Sequence, residues 1–268
     1  MSPAEAAQLT PGERSVDVPL RARGYLRFDA AAHLDDIDVA AALAALNVEF
    51  ESLPRDPYAH SLNRFRRYVS GLLFPWARRV EWLPTVVDDR GRTCSEYYQG
   101  VHNPDHPGIA RRFEAISRDC LRNPLVERLI WIDFDHTFWQ PIELRRPLSV
   151  GLHLVKLMVA QPGQSAVSSP NHLHQDGEPF TFVHLVHRDN AVGAVNTIAW
   201  PDCVGLLPEN IADDLVVDTF QLEEPLDSYA ICDRMISHYV SPLTRGPEAR
   251  AGVRCAVLID FTPMVPRI

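Results

Sequence analysis

A chain of 268 residues and 30.2 kDa has room for one large domain or two small ones and for a sizeable core, which excludes repeat arrays and mini-scaffolds. With 46% hydrophobic and 23% charged residues the composition is that of a globular protein, and no segment reaches the ~18–20 unbroken apolar residues of a membrane span. The 26 basic against 35 acidic residues leave a net charge of −9, so the long-range attraction that drives nucleic-acid binding is missing.

Five cysteines, odd in number and without a Cys-x-x-Cys pair, indicate neither a disulfide framework nor a zinc knuckle, and are expected reduced in the interior. Met1 to Pro19 has neither a basic start nor an apolar stretch of signal-peptide length, so a cytoplasmic protein is expected.

In chain order, residues 1–20 mix Pro, Ser, Glu and Ala without a period and read as an arm. Gly24 to Phe28 reads as the first strand. The Ala- and Leu-rich run from Asp35 to Phe50 places Ile37, Ala41, Ala44 and Val48 at helical spacing behind Asp caps. A second helix is expected from Pro107 to Leu121, with Ile109, Phe113, Ile116 and Cys120 on one face, ended by Asn123-Pro124. After Arg128 the texture turns to short strands: Leu129–Phe134, Ser149–Ala160, Phe180–His187, Ala194–Trp200, Asp227–Cys232, Met235–Val240 and Val253–Phe261, broken only by a short turn at Glu209–Leu215. Helical patterns precede the strands instead of alternating with them, which disfavours a parallel βαβ sheet. The expectation is a mainly β (α+β) fold with a jelly-roll or barrel core and helices packed outside. Residues 21–268 would form one domain, helix-rich support and lid over about 21–125 and jelly-roll over about 126–265.

The most informative stretch is Ser169 to Glu178. On an extended strand i and i+2 share a face, so His174 and Asp176 can aim an imidazole and a carboxylate at one point. A third ligand must come from elsewhere, and His238, in a short apolar run ending at Ser241-Pro242, is the natural candidate. Two histidines and one carboxylate leave coordination positions open, the arrangement of non-haem Fe(II) oxygen chemistry. His-x-Asp alone is a weak signal, equally compatible with a capped turn. The order strengthens it, because Arg254 follows on the next strand, where a guanidinium suits an anionic co-substrate.

These residues together resemble the bacterial 2-oxoglutarate/Fe(II) dioxygenase family that includes isoleucine 4-hydroxylase and related free amino-acid hydroxylases. Tyr97 to Pro104 with Arg111-Arg112-Phe113 resembles its region upstream of the barrel. His174 to Gly177, His238 to Pro242 and Arg254 to Phe261 resemble its metal and co-substrate region, and the likeness covers roughly residues 20–265. The resemblance implies a double-stranded β-helix, cupin-like, with Fe(II) held by His174, Asp176 and His238. It also implies 2-oxoglutarate as co-substrate with its distal carboxylate on Arg254, O2 as oxidant, and decarboxylation to succinate coupled to hydroxylation of an unactivated carbon. The substrate expected is a free L-amino acid or a derivative. Related halogenases carry a small residue where Asp176 stands, so the carboxylate speaks for hydroxylation, with desaturation or cyclisation open to the same chemistry.

Arg245 and Arg250, in the loop segment Thr244–Gly252, are the rivals to Arg254. His172 shares parity with His174 and Asp176 and orders the strand edge or contacts substrate. Glu178 could meet a substrate ammonium or be an exposed turn carboxylate. Gln99, Asn103 and Arg112 come from the region covering the barrel mouth, where Arg112 could pair with a substrate carboxylate or be an ordinary surface cation. Asn196 lines the pocket or satisfies a neighbouring strand, and His184 and His187 read as structural. Two other classes remain: a jelly-roll binding protein without turnover, and a zinc hydrolase, which lacks a placed general base here.

Overall fold

Period-two alternation along the last strand sets the architecture. In Gly252–Pro263, Cys255, Val257, Ile259 and Phe261 join the main hydrophobic core, while Arg254, Leu258 and Asp260 line a cavity on the opposite face. The computed structural model describes residues 19–59, 61–99, 108–168 and 170–264.

From the N-terminus these form α1 (Pro19–Arg23), β1 (Tyr25–Asp29), α2 (Val39–Glu51), β2 (Arg64–Phe74), β3 (Arg79–Trp82), β4 (Val86–Val87), β5 (Thr93–Tyr97) and β6 (Arg111–Glu114). Then follow α3 (Arg118–Leu121), α4 (Pro124–His136), β7 (Leu148–Val159), β8 (Ser165–Ala166), β9 (Phe180–Asp189) and β10 (Ala191–Gly193). The chain closes with β11 (Asn196–Ala199), β12 (Val216–Phe220), β13 (Asp227–Cys232), β14 (Ser237–Val240), β15 (Leu243–Arg245) and β16 (Gly252–Pro263).

A seven-stranded antiparallel sheet runs β1-β13-β9-β16-β7-β2-β3. Two three-stranded sheets, β12-β11-β14 and β10-β15-β8, face it, and Val183, Ile198, Phe220, Tyr229, Ile231 and Ala256 pack between the layers. This is the jelly-roll cup the strand texture implied. A third small sheet, β4-β5-β6, closes its mouth beside β2. The other face of the large sheet is covered by α2 and α4, whose Leu46, Phe50, Leu129 and Ile130 pack on Leu152, Leu154, Phe182 and Val257. The five cysteines are buried and unpaired, and no helix among the described residues is long and apolar enough to cross a membrane.

Three expectations are corrected. The stretch read as a helix over Pro107 to Leu121 holds strand β6 and only one helical turn, α3. Arg111, Arg112 and Phe113 alternate buried, exposed, buried, a period of two that a helical reading of Phe113, Ile116 and Cys120 concealed. The run Leu129–Phe134, read as a strand, is the interior of α4. Asn123-Pro124 starts that helix: the Asn123 side chain accepts from Leu125 N–H at 2.9 Å, and Pro124 occupies the first turn. Strand β2, in the region expected to be support and lid, is an integral member of the large sheet.

A buried polar link fastens α4 to this sheet. His184 Nε2 meets Asp133 Oδ2 at 2.9 Å, and the Ser228 hydroxyl, 2.8 Å from His184 Nδ1, donates to Leu226 O at 2.6 Å. Because that hydroxyl spends its proton on a carbonyl, it receives one from His184. The trio is a structural network, as expected for His184, and His187 is exposed.

Candidate active site

One cavity lies within the cup, walled by Val155, Val183, Ile231, Val240 and Leu258 and studded with charge. At its floor His174, Asp176 and His238 converge, each offering a ligand atom within 4.8 Å of the others. Asp176 Oδ1 lies 3.7 Å from His174 Nε2, and Oδ2 lies 3.4 Å from His238 Nε2. The backbone enforces this meeting. His174 and His238 exchange both N–H···O bonds at 3.0 Å, an isolated antiparallel bridge that sets the two imidazoles side by side.

Protonation can be deduced from partners. A carbonyl only accepts, so His174 Nδ1, 2.8 Å from His172 O, carries a proton, and Nε2 is the nitrogen turned toward Asp176. Burial, then the neighbouring His174, push the His238 ring down to about 3, so that ring is neutral. Two imidazoles and a carboxylate, with space beyond them, form a donor set that suits Fe(II) with open positions.

Arg254 is fully enclosed, and its Nε and Nη2 have no hydrogen-bond partner. A buried guanidinium with two nitrogens unpartnered costs on the order of several kcal/mol unless an anion satisfies it. Burial accordingly pushes its pKa below the usual arginine value. Of its rivals, Arg250 is on the surface with Asp189 and Glu248, and Arg245 does not line the cavity.

Toward the mouth stand groups that sequence reasoning named only in part. Tyr97 Oη donates to Glu178 Oε1 at 2.9 Å, and Gln99 Nε2 donates to Glu178 Oε2 at 3.3 Å and to Asp176 O at 3.2 Å. Gln99 Oε1 in turn accepts from Arg111 Nη2. Glu178 is thus a buried cavity carboxylate, not an exposed turn residue. Its carboxyl is raised well above the usual range by burial and then by the charges of Asp260 and Asp176. Arg66 donates to His153 Nδ1, which leaves His153 Nε2–H to donate to Asp260 Oδ2 at 2.7 Å. Gly151 makes room for that carboxylate, since a Cβ there would sit 2.4 Å from Asp260 Oδ2.

Arg112 is corrected: it points outward, 57% exposed and paired with Glu96 at 2.8 Å, while its neighbour Arg111 enters the cavity. The strand period decides this. Asn196 does not line the cavity; it is buried on β11 and donates to Phe220 O at 3.4 Å. His172 contributes its carbonyl, and its ring does not line the cavity either. Asn103 lies outside the described residues. Asp260 could have been found from the sequence, being six residues, an even number, after Arg254 on one strand; Arg66 and His153 needed the pairing of β2 with β7.

Comparison with known proteins agrees with this geometry. L-isoleucine-4-hydroxylase from Bacillus thuringiensis is 27% identical over 247 residues, covering 90% of this chain and 91% of that protein. The 3(1)-hydroxy-L-isoleucine 4-dioxygenase of Pantoea ananatis (strain AJ13355) is 25% identical, covering 82% of this chain and 80% of its own. Among solved structures, IDO from Bacillus thuringiensis matches with a TM-score of 0.71 at 22% identity, over 92% of this chain and 97% of that one. The Fe(II)/(alpha)ketoglutarate-dependent dioxygenase TqaL matches at 0.68 and 15% identity, over 93% and 86%. The model of the 2OG-Fe dioxygenase family matches residues 47–260, most of the chain, and the protein is therefore a member of that family, which uses Fe(II), 2-oxoglutarate and O2.

Proposed function

We propose that this dioxygenase hydroxylates an unactivated carbon of a small free α-amino acid. The observation that carries the reading is the charge pattern at the cavity mouth. Arg66 and Arg111 stack on the same two rings, Tyr97 and Phe113, at 4.4–5.7 Å from their centroids. Among the described residues neither makes a salt bridge to a carboxylate; their partners are the neutral His153 and Gln99. Two carboxyl groups line the same cavity, each one side chain removed from an arginine: Asp260 beyond His153 and Glu178 beyond Gln99. An α-amino acid brings one carboxylate and one ammonium, the complement of such a pair of poles. Two relatives named for isoleucine or its hydroxylated derivative support the same class.

In this reading His174 Nε2, His238 Nε2 and the Asp176 carboxylate hold the iron, and Arg254 receives the distal carboxylate of 2-oxoglutarate. The bound iron, with 2-oxoglutarate and O2, supplies the oxidising power. The protein's part is positional. Arg66 and Arg111 take the substrate carboxylate; Asp260, held by His153, and Glu178, held by Tyr97 and Gln99, take its ammonium. The side chain is thereby directed toward the floor, while Val183, Ile231 and Leu258 keep water from it.

The test is incubation with Fe(II), 2-oxoglutarate and O2 across a panel of free, N-acetylated and C-amidated amino acids, following succinate and the added oxygen atom by mass spectrometry. Product is expected only from amino acids with both termini free. Turnover of the blocked compounds at equal efficiency would remove the reading.

A further inference from the structure

The loop that carries Asp176 has no regular structure, yet it presents its carboxylate to two imidazoles on defined sides. Asp233, in the turn after β13, explains how. It is only 5% exposed, and its two oxygens each accept one backbone N–H: Oδ1 from Asp176 at 2.8 Å and Oδ2 from Gly177 at 2.7 Å. Gly177 has φ +84°, in the left-handed region, so successive N–H groups turn to one side and make a nest for an anion. The tie runs both ways. Gln175 Nε2 donates to Asp233 O and, at 3.1 Å, to Ile236 O, binding the turn that leads into His238.

We propose that Asp233 and Gln175 form a reciprocal clamp that positions Asp176 for the metal, so that both are positioning residues for iron binding. The clamp grips the residues on either side of one ligand and the turn two residues before another. Loosening it frees the Asp176 carboxylate to leave the point where His174 and His238 meet. It rests on reading His174, Asp176 and His238 as the metal ligands.

The probe is Co(II), titrated calorimetrically into metal-free protein without 2-oxoglutarate or substrate, with the Co(II) visible absorption spectrum recorded alongside. Outer partners of metal ligands typically contribute 10–100-fold to affinity. Asp233→Asn, which keeps one acceptor and sets an amide NH2 against the other N–H, is expected to weaken Co(II) binding by about that factor and to alter the spectrum. Gln175→Met, which leaves the carboxylate fork but cuts the return tie, is expected to weaken it less. Circular dichroism and the thermal midpoint of the metal-free forms identify the folded variants. A folded form of either variant with wild-type affinity and spectrum overturns the clamp. If Asp233→Asn fails to fold, Gln175→Met alone decides. Asp176→Ala separates the two readings: if it too binds Co(II) normally, the ligand assignment has failed, whereas loss in Asp176→Ala beside normal Asp233→Asn and Gln175→Met refutes the clamp only.

Discussion

Arg254 and Arg250 lie four residues apart near the end of the chain, and their surroundings separate their roles. Arg254 is enclosed with two unpartnered nitrogens, whereas Arg250 is half exposed between Asp189 and Glu248. A charge-assisted contact in such an enclosed site contributes about 1.5–3 kcal/mol, so Arg254→Met is expected to raise the KM for 2-oxoglutarate roughly 10–100-fold. Arg250→Met should leave it unchanged, and steady-state succinate formation at varied 2-oxoglutarate checks both. His153 supports a prediction about acid. Burial, then the adjacent Arg66, push its ring down to about 4. Between that value and the ordinary 6.5 the unfolded chain binds a proton that the folded chain refuses, so stability is complete above 6.5 and falls as the pH drops toward 4. From about pH 7 to pH 5 this amounts to about 2 kcal/mol. His153→Gln, which can accept from Arg66 and donate to Asp260, should lose correspondingly less stability over that interval in urea titrations of the metal-free protein.

At the scale of elements, α4 is where sequence and structure part most clearly. Its Leu129–Phe134 run is apolar nearly all round because it packs against both α2 and the sheet, and a short apolar run of that kind has no period to reveal it. The decisive signal was Asn123-Pro124, which carries a helix start as readily as a helix stop. Asn123 also donates to Ala42 O at 2.8 Å, so one side chain caps α4 and joins it to α2. Asn123→Ala is expected to destabilise the protein by about 1–2 kcal/mol, read as a shift in the urea midpoint at constant slope. β16, by contrast, was legible almost residue by residue, because one face is core and the other is cavity and its alternation is unbroken. That His174, Asp176 and His238 meet was also anticipated from the sequence, although Asp176 lies in a loop and not on the extended strand from which shared parity was argued. The groups at the mouth were not. Whether Arg111 or Arg112 enters depends on β6 pairing with β5, and Arg66 reaches His153 only because β2 joins the large sheet beside β7.

For the whole molecule, the cavity is lined from β14, the 174–176 loop and β16, so on the proposed reading filling it ties together segments from both layers of the cup. A ligand that binds only the folded state adds about 2.7 kcal/mol when present at one hundred times its Kd. For a chain of this size Co(II) with 2-oxoglutarate should therefore raise the Tm by roughly 5–10 °C, and a chelator should reverse the gain. A Tm indifferent to both would mean that the cavity holds neither.

The mutual pair of backbone N–H···O hydrogen bonds between His174 and His238 means that opening of the chain at this point also separates the main-chain anchors of the two imidazoles that the proposed reading places on the iron. If these residues hold the ion, Co(II) is expected to slow hydrogen–deuterium exchange of the same two amides, and unchanged exchange would count against the assignment.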